Sequence, residues 1–412
     1  MVTGFGDFVS PAVALAQDTF DISPVTASLL PLVGYLMFFL SVPISHWQSK
    51  IGKTNIIKLG AAIAAAGAAL PMFFGMHGHF VPMDKSQFYI MATSVALVCL
   101  GTTMMETGAT AMFADVSKDN PSMTTNLVWG DAIRCIPIAL GFMAPAALDL
   151  LGFDWTGLYP ITTAFFLAAL ITASTVKIAE AKPEIPSSYK DTLELLKDPN
   201  IGLLVAAAFA YIGSEIPFLS MTPLLFTEQG FTTEQAETLA FLTTMLPIII
   251  SNFISPPLIK RFGENKVLLT SLAAALTGFG LVMSPGELTT YIGLIVAGLG
   301  YGNIFPMLIG RAQQKDVDKV DDITGLMITS TAGGAFMTPI AAALAQTINA
   351  SLSYLIPTVC VMFILGVILR DIHKANIVAK AMAEKERQER EHERMLKEAQ
   401  TKTQINRNVQ SE

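Results

Sequence analysis

Long apolar runs separated by short polar connections form the dominant pattern along this chain. A membrane-spanning helix needs about 20 mostly apolar residues, and twelve runs of this kind occur, which we number spans 1 to 12. In the first half the spans are predicted at 1–17, 25–46, 54–76, 88–113, 122–148 and 156–177. In the second half they are predicted at 201–226, 235–258, 266–284, 288–312, 322–348 and 351–371. The pattern therefore predicts an all-α membrane protein with twelve transmembrane helices.

Composition indicates that lipid, rather than water, surrounds most of the chain. Of its 412 residues, 52% are hydrophobic and only 14% are charged, whereas about a quarter of a soluble domain is charged. Nothing in the charge pattern suggests nucleic-acid binding. Cys99, Cys135 and Cys360 lie in apolar segments without the spacing of metal ligands, so we predict core residues and no metal site. The sequence contains no P-loop or catalytic-triad pattern, and we do not expect an enzyme.

Lysine and arginine distinguish the two ends of the predicted spans. In the even-numbered connections they are Lys50, Lys53, Lys58, Lys118, Lys182, Lys190, Lys197, Lys260, Arg261, Lys266, Arg311, Lys315 and Lys319. The odd-numbered connections carry only Lys85. The positive-inside rule therefore predicts that the even connections and both termini are cytoplasmic. We expect an integral protein of the plasma (inner) membrane.

The two halves of the chain echo each other. Gly52 and Gly263 each lie in a short basic turn before an Ala-rich span, and MAPAAL in span 5 resembles MTPIAAAL in span 11. Parallel repeats of this kind build transporters with a substrate site between two bundles. We predict two pseudo-symmetric six-helix bundles over 1–177 and 201–371, a cytoplasmic linker over 178–200 and a charged cytoplasmic tail helix over 372–412.

Three acidic residues, Asp7, Glu106 and Glu215, lie inside apolar spans. A charged group at bilayer depth is costly, so such residues are candidate functional groups. We predict proton coupling at Asp7 and Glu106, with Glu106 contacting substrate as well. The alternatives are that Asp7 lies near an aqueous mouth and that Glu106 is a structural partner of Arg134.

Arg134 is the only basic residue that lies plainly at bilayer depth in the sequence, and Asp131 precedes it by three residues. As a structural bridge, this pair would lower the cost of both charges. As a substrate-binding pair, Arg134 would exchange partners with Glu106 or hold a polar or anionic substrate group through its planar guanidinium. Both interpretations place Asp131 and Arg134 among the candidate site residues.

Glu215 and Tyr211 share a helix face at a spacing of four residues. An acid beside an aromatic ring suits sugar recognition, so we predict substrate contact at both. The alternative is a glutamate in a water-filled vestibule. Trp129, Tyr301 and Asn303 are further candidates for substrate binding, with packing in the core or against lipid as their alternative.

Six segments carry a family resemblance: GDFVSP (6–11), LGTTMMETGA (100–109), YIGSE (211–215), PPLIKRFGENKVL (256–268), IFPMLIG (304–310) and TGLMITSTAGGAFMTPI (324–340). Together they resemble the fucose–galactose–glucose:proton symporter family of the major facilitator superfamily, over nearly all of residues 1–371. The resemblance implies the major facilitator fold and proton-coupled sugar transport.

The chain departs from that family at several positions. The turn that ends at Gly52 lacks the family's usual Asp-Arg, and Asn252 precedes Phe253 where an Arg is common. In span 5, Trp129 and Ala132 stand where the family usually has Gln and Asn. Positions of this kind belong to the substrate cavity in the family, so the resemblance does not imply one particular sugar.

The predicted function is proton-coupled uptake of a monosaccharide or related small polar solute by alternating access. The proton gradient would drive it without a cofactor or metal, and a monomer in membrane lipid would suffice. One alternative is a proton-driven exporter of amphipathic or anionic compounds. Another is a transporter-like membrane sensor or scaffold that acts through the charged tail.

Overall fold

The structure is a computed structural model that describes residues 19–22, 26, 29–78, 85–117, 123–175 and 188–409. Within these ranges all regular secondary structure is helical, and eight helices are long and apolar enough to cross a membrane. Helices prevail because a lipid-exposed backbone must satisfy its own hydrogen bonds. Predicted span 1, with Asp7, lies outside the described residues.

Helices coincide with the other eleven predicted spans. In the first half they are Leu29–Met37 with Ser41–Ile51 for span 2, Lys53–Ala69 for span 3, Lys85–Val116 for span 4, Met123–Leu150 for span 5 and Leu158–Thr175 for span 6. In the second half they are Pro199–Glu228 for span 7, Thr233–Ala240 with Leu246–Phe262 for span 8, Glu264–Val282 for span 9, Glu287–Tyr301 with Ile304–Gln313 for span 10, Val320–Thr329 with Gly333–Thr347 for span 11, and Leu355–Val409, which begins with span 12.

Several spans are divided by a short irregular turn. A 3-10 turn at Phe38–Leu40 divides span 2, a π turn at Phe241–Met245 divides span 8, and a 3-10 turn at Ser330–Ala332 divides span 11. Span 10 is interrupted at Gly302 and Asn303. Such interruptions are tolerated in a membrane where neighbouring helices re-satisfy the backbone groups. Sequence hydropathy had predicted each of these spans as one uninterrupted segment.

Two glycine turns link repeat-related spans in the same way. Gly52, between spans 2 and 3, has φ 94°, and Gly263, between spans 8 and 9, has φ 84°. Their backbone N–H groups donate to the carbonyl oxygens of Gln48 and Ile259, four residues earlier. A side chain would be strained at these φ values. The two turns therefore share one backbone geometry, as the sequence echo between the halves suggested.

Glycines also bring repeat-related helices into backbone contact. A Cβ placed on Gly60 of span 3 would lie 2.6 Å from the carbonyl oxygen of Gly101 in span 4. One placed on Gly278 of span 9 would lie 2.5 Å from the carbonyl oxygen of Gly293 in span 10. Small residues at such crossings let membrane helices approach closely. In both halves the equivalent pair of spans is therefore packed backbone to backbone.

The predicted linker contains a short helix, Tyr189–Glu194. The Ser188 side chain accepts a hydrogen bond from the Asp191 backbone N–H, and the Asp191 carboxylate accepts one from the Ser188 backbone N–H. Together they form a capping box. The hydrogen bonds from the Ser188 hydroxyl and backbone N–H lower the pKa of Asp191. The described part of the linker therefore begins with a capped helix.

Residues 366–412 form a compact unit separate from residues 1–365. Residues 366–409 belong to the long helix Leu355–Val409. Exposed ion pairs at a spacing of four residues lie along it, such as Arg387 Nε to Glu391 Oε1 at 3.1 Å. Pairs of this type stabilise a helix by only about 0.3–0.5 kcal/mol.

Candidate functional site

Arg134 of span 5 lies between two carboxylates. Its Nη1 donates to Glu106 Oε1 of span 4 at 3.0 Å, and its Nε forms an ion pair with Asp131 Oδ1 at 3.2 Å. The three side chains keep 24%, 13% and 17% exposure for Arg134, Glu106 and Asp131. Removing charges from water is costly unless they are well paired, and the planar guanidinium can serve two carboxylates at once. The structure thus brings together three of the predicted site residues.

Asn252 of span 8 joins this group from the other half of the chain. Its Nδ2 donates to Asp131 Oδ2 at 3.1 Å and contacts Cys135 Sγ at 3.0 Å. Among the described residues its Oδ1 has no hydrogen-bond partner, although the residue is only 1% exposed. Because an ionised carboxylate can only accept, the amide N–H₂ faces Asp131 and the oxygen faces away from it.

Glu215 and Tyr211 of span 7 form a second polar group. The Tyr211 hydroxyl donates to Glu215 Oε1 at 2.7 Å and also contacts the backbone oxygen of Tyr301 at 3.3 Å. The Tyr211 ring stacks between Tyr301, with centroids 5.1 Å apart, and Phe305, with centroids 5.6 Å apart. A glutamate is therefore fixed beside a column of aromatic rings.

One cavity contacts both groups. It encloses about 760 Å³, open solvent at its mouth included, and is lined by Tyr35, Asp131, Arg134, Cys135, Ile138, Tyr211, Glu215, Ile216, Leu219, Met245, Ile248, Asn252, Gly302 and Phe305. Polar groups converge within a largely apolar wall, which is typical of small-molecule sites. We call this space the cavity.

Of the predicted residues, Asp131, Arg134, Tyr211 and Glu215 line the cavity. Glu106 is linked to it through Arg134. Within the described residues, no group of three or more His, Cys, Asp or Glu side chains could hold a metal ion.

Three further predicted residues lie elsewhere. Tyr301 is fully buried, and its hydroxyl contacts the Ser214 hydroxyl. Asn303 is buried and donates to Ser255. Trp129 is 39% exposed and packs edge-on against Phe253. None of the three is among the side chains that line the cavity, so substrate contact at these positions remains a sequence-based prediction.

The cavity also contains residues that sequence reasoning did not nominate. In the sequence Asn252 stands out only as a departure from the family's Arg. Phe305 belongs to the IFPMLIG segment of the family resemblance, and Tyr35 carries no signal beyond its place in an apolar span. Asn252 was the usable clue. Replacing the family's Arg by Asn at a position in the substrate cavity changes the charge of the site.

A second group of charges lies where span 3 starts, span 4 ends and span 11 starts, which we call the basic end. Lys53 Nζ contacts Asp115 Oδ2 at 2.6 Å and Asp321 Oδ1 at 2.8 Å. The Lys53 side chain is only 4% exposed. Asp115 belongs to the first half and Asp321 to the second, so this lysine joins the two halves.

Further contacts lie at the same end, and those of Thr124 join the two halves. Glu264 Oε1 pairs with Arg311 Nη2 at 3.0 Å, and Glu264 Oε2 accepts from Thr124 of span 5 at 2.9 Å. Thr192 of the linker helix donates to Asp322 at 2.6 Å. The helices also approach closely, because a Cβ on Gly310 would lie 2.7 Å from Thr124 Oγ1.

The cavity lies well inside the bundle relative to these contacts. Thr124 and Arg134 are ten residues apart along span 5, which is about 15 Å at a rise of 1.5 Å per residue. The two halves are thus joined at the basic end, while a charged cavity remains between them deeper along the helices.

Repeat-related helices arranged around a charged cavity are typical of membrane transporters. The sequence model of the Major Facilitator Superfamily matches residues 1–339, and the chain belongs to that superfamily. It is an integral membrane transporter rather than an enzyme. No curated protein matches the chain significantly.

Solved structures agree with this assignment. A variant of the fucose:proton symporter FucP of E. coli superposes with a TM-score of 0.74 at 17% identity, over 90% of this chain and 96% of that one. FucP in the outward conformation superposes with a TM-score of 0.73 at 17% identity, over 90% of this chain and 97% of that one. A bacterial homologue of the iron transporter ferroportin in the outward-facing state gives 0.70 at 16% identity, over 90% and 97%. At such identities the likeness establishes the fold alone, and it confirms the predicted major facilitator architecture.

Proposed function

We propose that this protein takes up a monosaccharide, or a closely related small polar solute, together with protons. The observation that carries the proposal is the position of Arg134, held between Glu106 and Asp131 at the wall of a cavity between the two halves. A carboxylate that is paired with a guanidinium can be neutralised by a proton and then release that guanidinium. Proton binding and substrate binding would thereby be coupled at one place.

In this mechanism Glu106 takes up a proton from the outside while the basic end is closed. Arg134 then keeps its ion pair with Asp131, and its Nη1 becomes available to a substrate hydroxyl. Loss of the proton to the cytoplasm restores the pair and resets the carrier. Asp7, which sequence predicts as a second coupling group, would act on the same cycle from span 1.

Glu215 and Tyr211 suit a hydroxylated solute. The carboxylate of Glu215 accepts hydrogen bonds, and Phe305, stacked on Tyr211, adds an aromatic ring to the wall of the cavity. Export of anionic compounds, the alternative from sequence, has weaker support because Arg134 already contacts two carboxylates. We therefore favour uptake.

For orientation we propose that the basic end faces the cytoplasm of a plasma (inner) membrane, as the positive-inside rule predicts. The charged tail and both termini would then be cytoplasmic. A monomer would suffice for this activity, because both halves that line the cavity belong to one chain.

Uptake into proteoliposomes tests the proposal. An outside-acid gradient is imposed, and labelled fucose, galactose, glucose and glucosamine are offered separately. We expect at least one of them to accumulate above its external concentration, and a protonophore to abolish the accumulation. Liposomes with the Glu287→Gln variant, which changes an exposed acid at the start of span 10, serve as a matched control and should behave like wild type. Equal uptake with and without the gradient, for every solute, would contradict proton coupling.

A further inference from the structure

Asp131 connects the charged group at the cavity to the other half of the chain. Its Oδ1 pairs with Arg134 Nε at 3.2 Å within span 5, and its Oδ2 accepts from Asn252 Nδ2 of span 8 at 3.1 Å. Glu106 pairs with the same guanidinium from span 4. Asp131, Arg134 and Glu106 all belong to the first half, so Asn252 is the member of the second half that holds this group.

The contact between Asp131 and Asn252 lies on the way from the cavity to the basic end. Both residues line the cavity. Asp131 is seven residues from Thr124 along span 5, which is about 10 Å. Thr124 in turn contacts Glu264, the first residue after the turn that ends span 8. Separation of the halves at the basic end therefore draws span 8 away from span 5, and the Asp131–Asn252 hydrogen bond opposes that movement.

One proton can neutralise the surplus charge of this group at either of two carboxylates. Arg134 carries one positive charge, and Glu106 and Asp131 carry two negative charges when both are ionised. A proton on Glu106 leaves the guanidinium with Asp131, and a proton on Asp131 leaves it with Glu106. The net charge is zero in both cases. The two states differ because Asp131 also accepts from Asn252 of the other half.

A proton on Asp131 weakens its contact with Asn252. Hydrogen bonds to an ionised carboxylate are stronger than those between neutral groups. A protonated carboxyl group also carries an O–H donor, and here each oxygen already faces an N–H donor, Arg134 Nε at Oδ1 and Asn252 Nδ2 at Oδ2. The proton therefore replaces a charge-assisted bond by a neutral one at best, and at Oδ2 it sets one donor against another.

Other titratable side chains surround this contact. Within the described part of the chain they are Tyr35, Glu106, Cys135, Tyr211 and Glu215. Cys135 Sγ is 3.0 Å from Asn252 Nδ2, and as a neutral thiol it is a weak acceptor. Glu215 accepts from Tyr211 on the same span. Its titration therefore leaves the hydrogen bond between spans 5 and 8 in place.

We propose that Asp131 binds the proton that lets the two halves separate, and that Asn252 is the positioning residue in the second half that responds to its charge. Ionised Asp131 holds span 8 against span 5, and protonated Asp131 releases it. A proton on Asp131 and separation of the halves thus favour each other by linkage. This inference rests on the proposed proton coupling and adds a second proton site to it: a proton on Glu106 frees Arg134 for the solute, and a proton on Asp131 permits the movement.

Labelling of a cysteine at the basic end tests the role of the charge. Gln48→Cys places a thiol at a buried position, and its reaction with an impermeant thiol reagent is followed by mass spectrometry of the labelled peptide in the full-length protein. The rate is divided by that of Asn55→Cys, at an exposed position, which corrects for the reactivity of the reagent at each pH. Asp131→Asn keeps the shape of the side chain without its charge. At neutral pH it should raise the corrected rate about five- to ten-fold.

Asp149→Asn is the matched control, because Asp149 is an exposed acid in the same helix as Asp131. It should leave the corrected rate unchanged. A rate in Asp131→Asn that equals that of this control would overturn the inference.

The pH dependence distinguishes control by charge from simple packing. In the wild-type background the corrected rate should rise from neutral to mildly acidic pH. Both Asp131→Asn and Asn252→Leu should reduce this rise, whereas the titration of Asp115 and Asp321 at the basic end is common to every variant. The double variant should open no further than Asn252→Leu alone, since the charge acts through Asn252. Additive effects of the two substitutions would overturn the role of Asn252.

A failure of Asp131→Asn to fold, as judged by thermal unfolding, leaves the decision to Asn252→Leu. This variant keeps Asp131 and its ion pair with Arg134 but removes the donor from the second half. An undiminished rise in acid would overturn the inference, and a reduced rise would support it.

The inference and the proposed function fail through different results, because the labelling needs no solute. An unchanged pH response in Asp131→Asn, beside proton-driven uptake of a sugar by the wild type, would overturn the inference alone. A pH response that depends on Asp131, beside the absence of proton-driven uptake for every sugar, would refute sugar uptake and support proton control of the two halves.

Discussion

Among the described residues, two places hold one basic side chain between two carboxylates, and they differ in which helices they join. At the cavity, Arg134 pairs with Glu106 and Asp131, which all lie in spans 4 and 5 of the first half. At the basic end, Lys53 pairs with Asp115 of the first half and Asp321 of the second. The Arg134–Glu106 pair can break without separating the halves, whereas the second group cannot be broken without loosening them.

Exposure separates the two groups further. The Arg134 side chain is 24% exposed beside the cavity, so water, protons and solute reach it, while Lys53 is almost completely enclosed. One cation between two carboxylates therefore suits proton coupling at the cavity and closure of the two halves at the basic end.

The largest effect is expected at the basic end. Lys53→Ala would leave Asp115 and Asp321 close together without their common cation, and breaking a buried ion pair in this way costs about 3–5 kcal/mol. Because the halves can separate to relieve the repulsion, we expect the closed basic end to open. A cysteine introduced by Gln48→Cys, at a buried position of span 2, should react with an impermeant thiol reagent about a hundred-fold faster.

Lys50→Ala is the matched control, because Lys50 is an exposed lysine only three residues before Lys53. It should leave the labelling rate of Gln48→Cys unchanged. Unchanged labelling in Lys53→Ala as well would mean that Lys53 does not hold the halves together.

A smaller effect is expected at the cavity. Arg134→Gln removes the cation shared by Glu106 and Asp131, but water in the cavity can solvate the remaining carboxylates. We therefore expect a decrease in the free energy of unfolding of about 2 kcal/mol, below the cost for an enclosed pair. Thermal unfolding in detergent measures it, with Arg261→Gln at an exposed end of span 8 as the control. A drop as large as that of Lys53→Ala would remove the distinction between the two groups.

Thr192→Val tests whether the linker helix helps to hold the basic end closed. It removes the hydrogen bond to Asp322 at nearly constant volume, which should weaken the closed state by about 1 kcal/mol. Labelling of Gln48→Cys should then rise by about five-fold. An unchanged labelling rate would mean that the ion pairs alone hold the basic end closed and that the linker helix does not contribute.

The smallest effect is expected from the exposed pairs of the tail. Arg387→Ala removes an ion pair with Glu391 in which both side chains are mostly exposed, and such pairs contribute well under about 1 kcal/mol. Thermal unfolding and uptake should both match wild type. A large loss of uptake would instead favour the sensor or scaffold alternative that the sequence left open.

The spans and the Arg134–Glu106 contact could be predicted from the sequence for clear physical reasons. Lipid requires long apolar helices with satisfied backbones, so hydropathy alone finds most of them. A charge at bilayer depth needs a partner, and Arg134 was the single basic residue plainly available to Glu106 at that depth. These features depend on residue type and depth, which a sequence records.

The cross-half contacts could not be predicted in the same way. Asn252 and Phe305 reach the cavity because spans 8 and 10 pack toward span 5, which depends on how the two halves meet. Tyr301 was nominated as a substrate contact, but it lies just before the interruption of span 10 at Gly302 and points into the core of the second half. Helical periodicity cannot say which face turns inward once a helix is interrupted.

The most direct test of coupling at Glu106 compares proton-driven uptake with counterflow in Glu106→Gln proteoliposomes. Glutamine keeps the shape of the side chain but cannot exchange a proton. We predict that accumulation driven by an outside-acid gradient disappears, while exchange of labelled for unlabelled solute across the membrane continues, because binding and rocking remain. Proton-driven accumulation at the wild-type level in this variant would contradict the assignment of Glu106 as the coupling group.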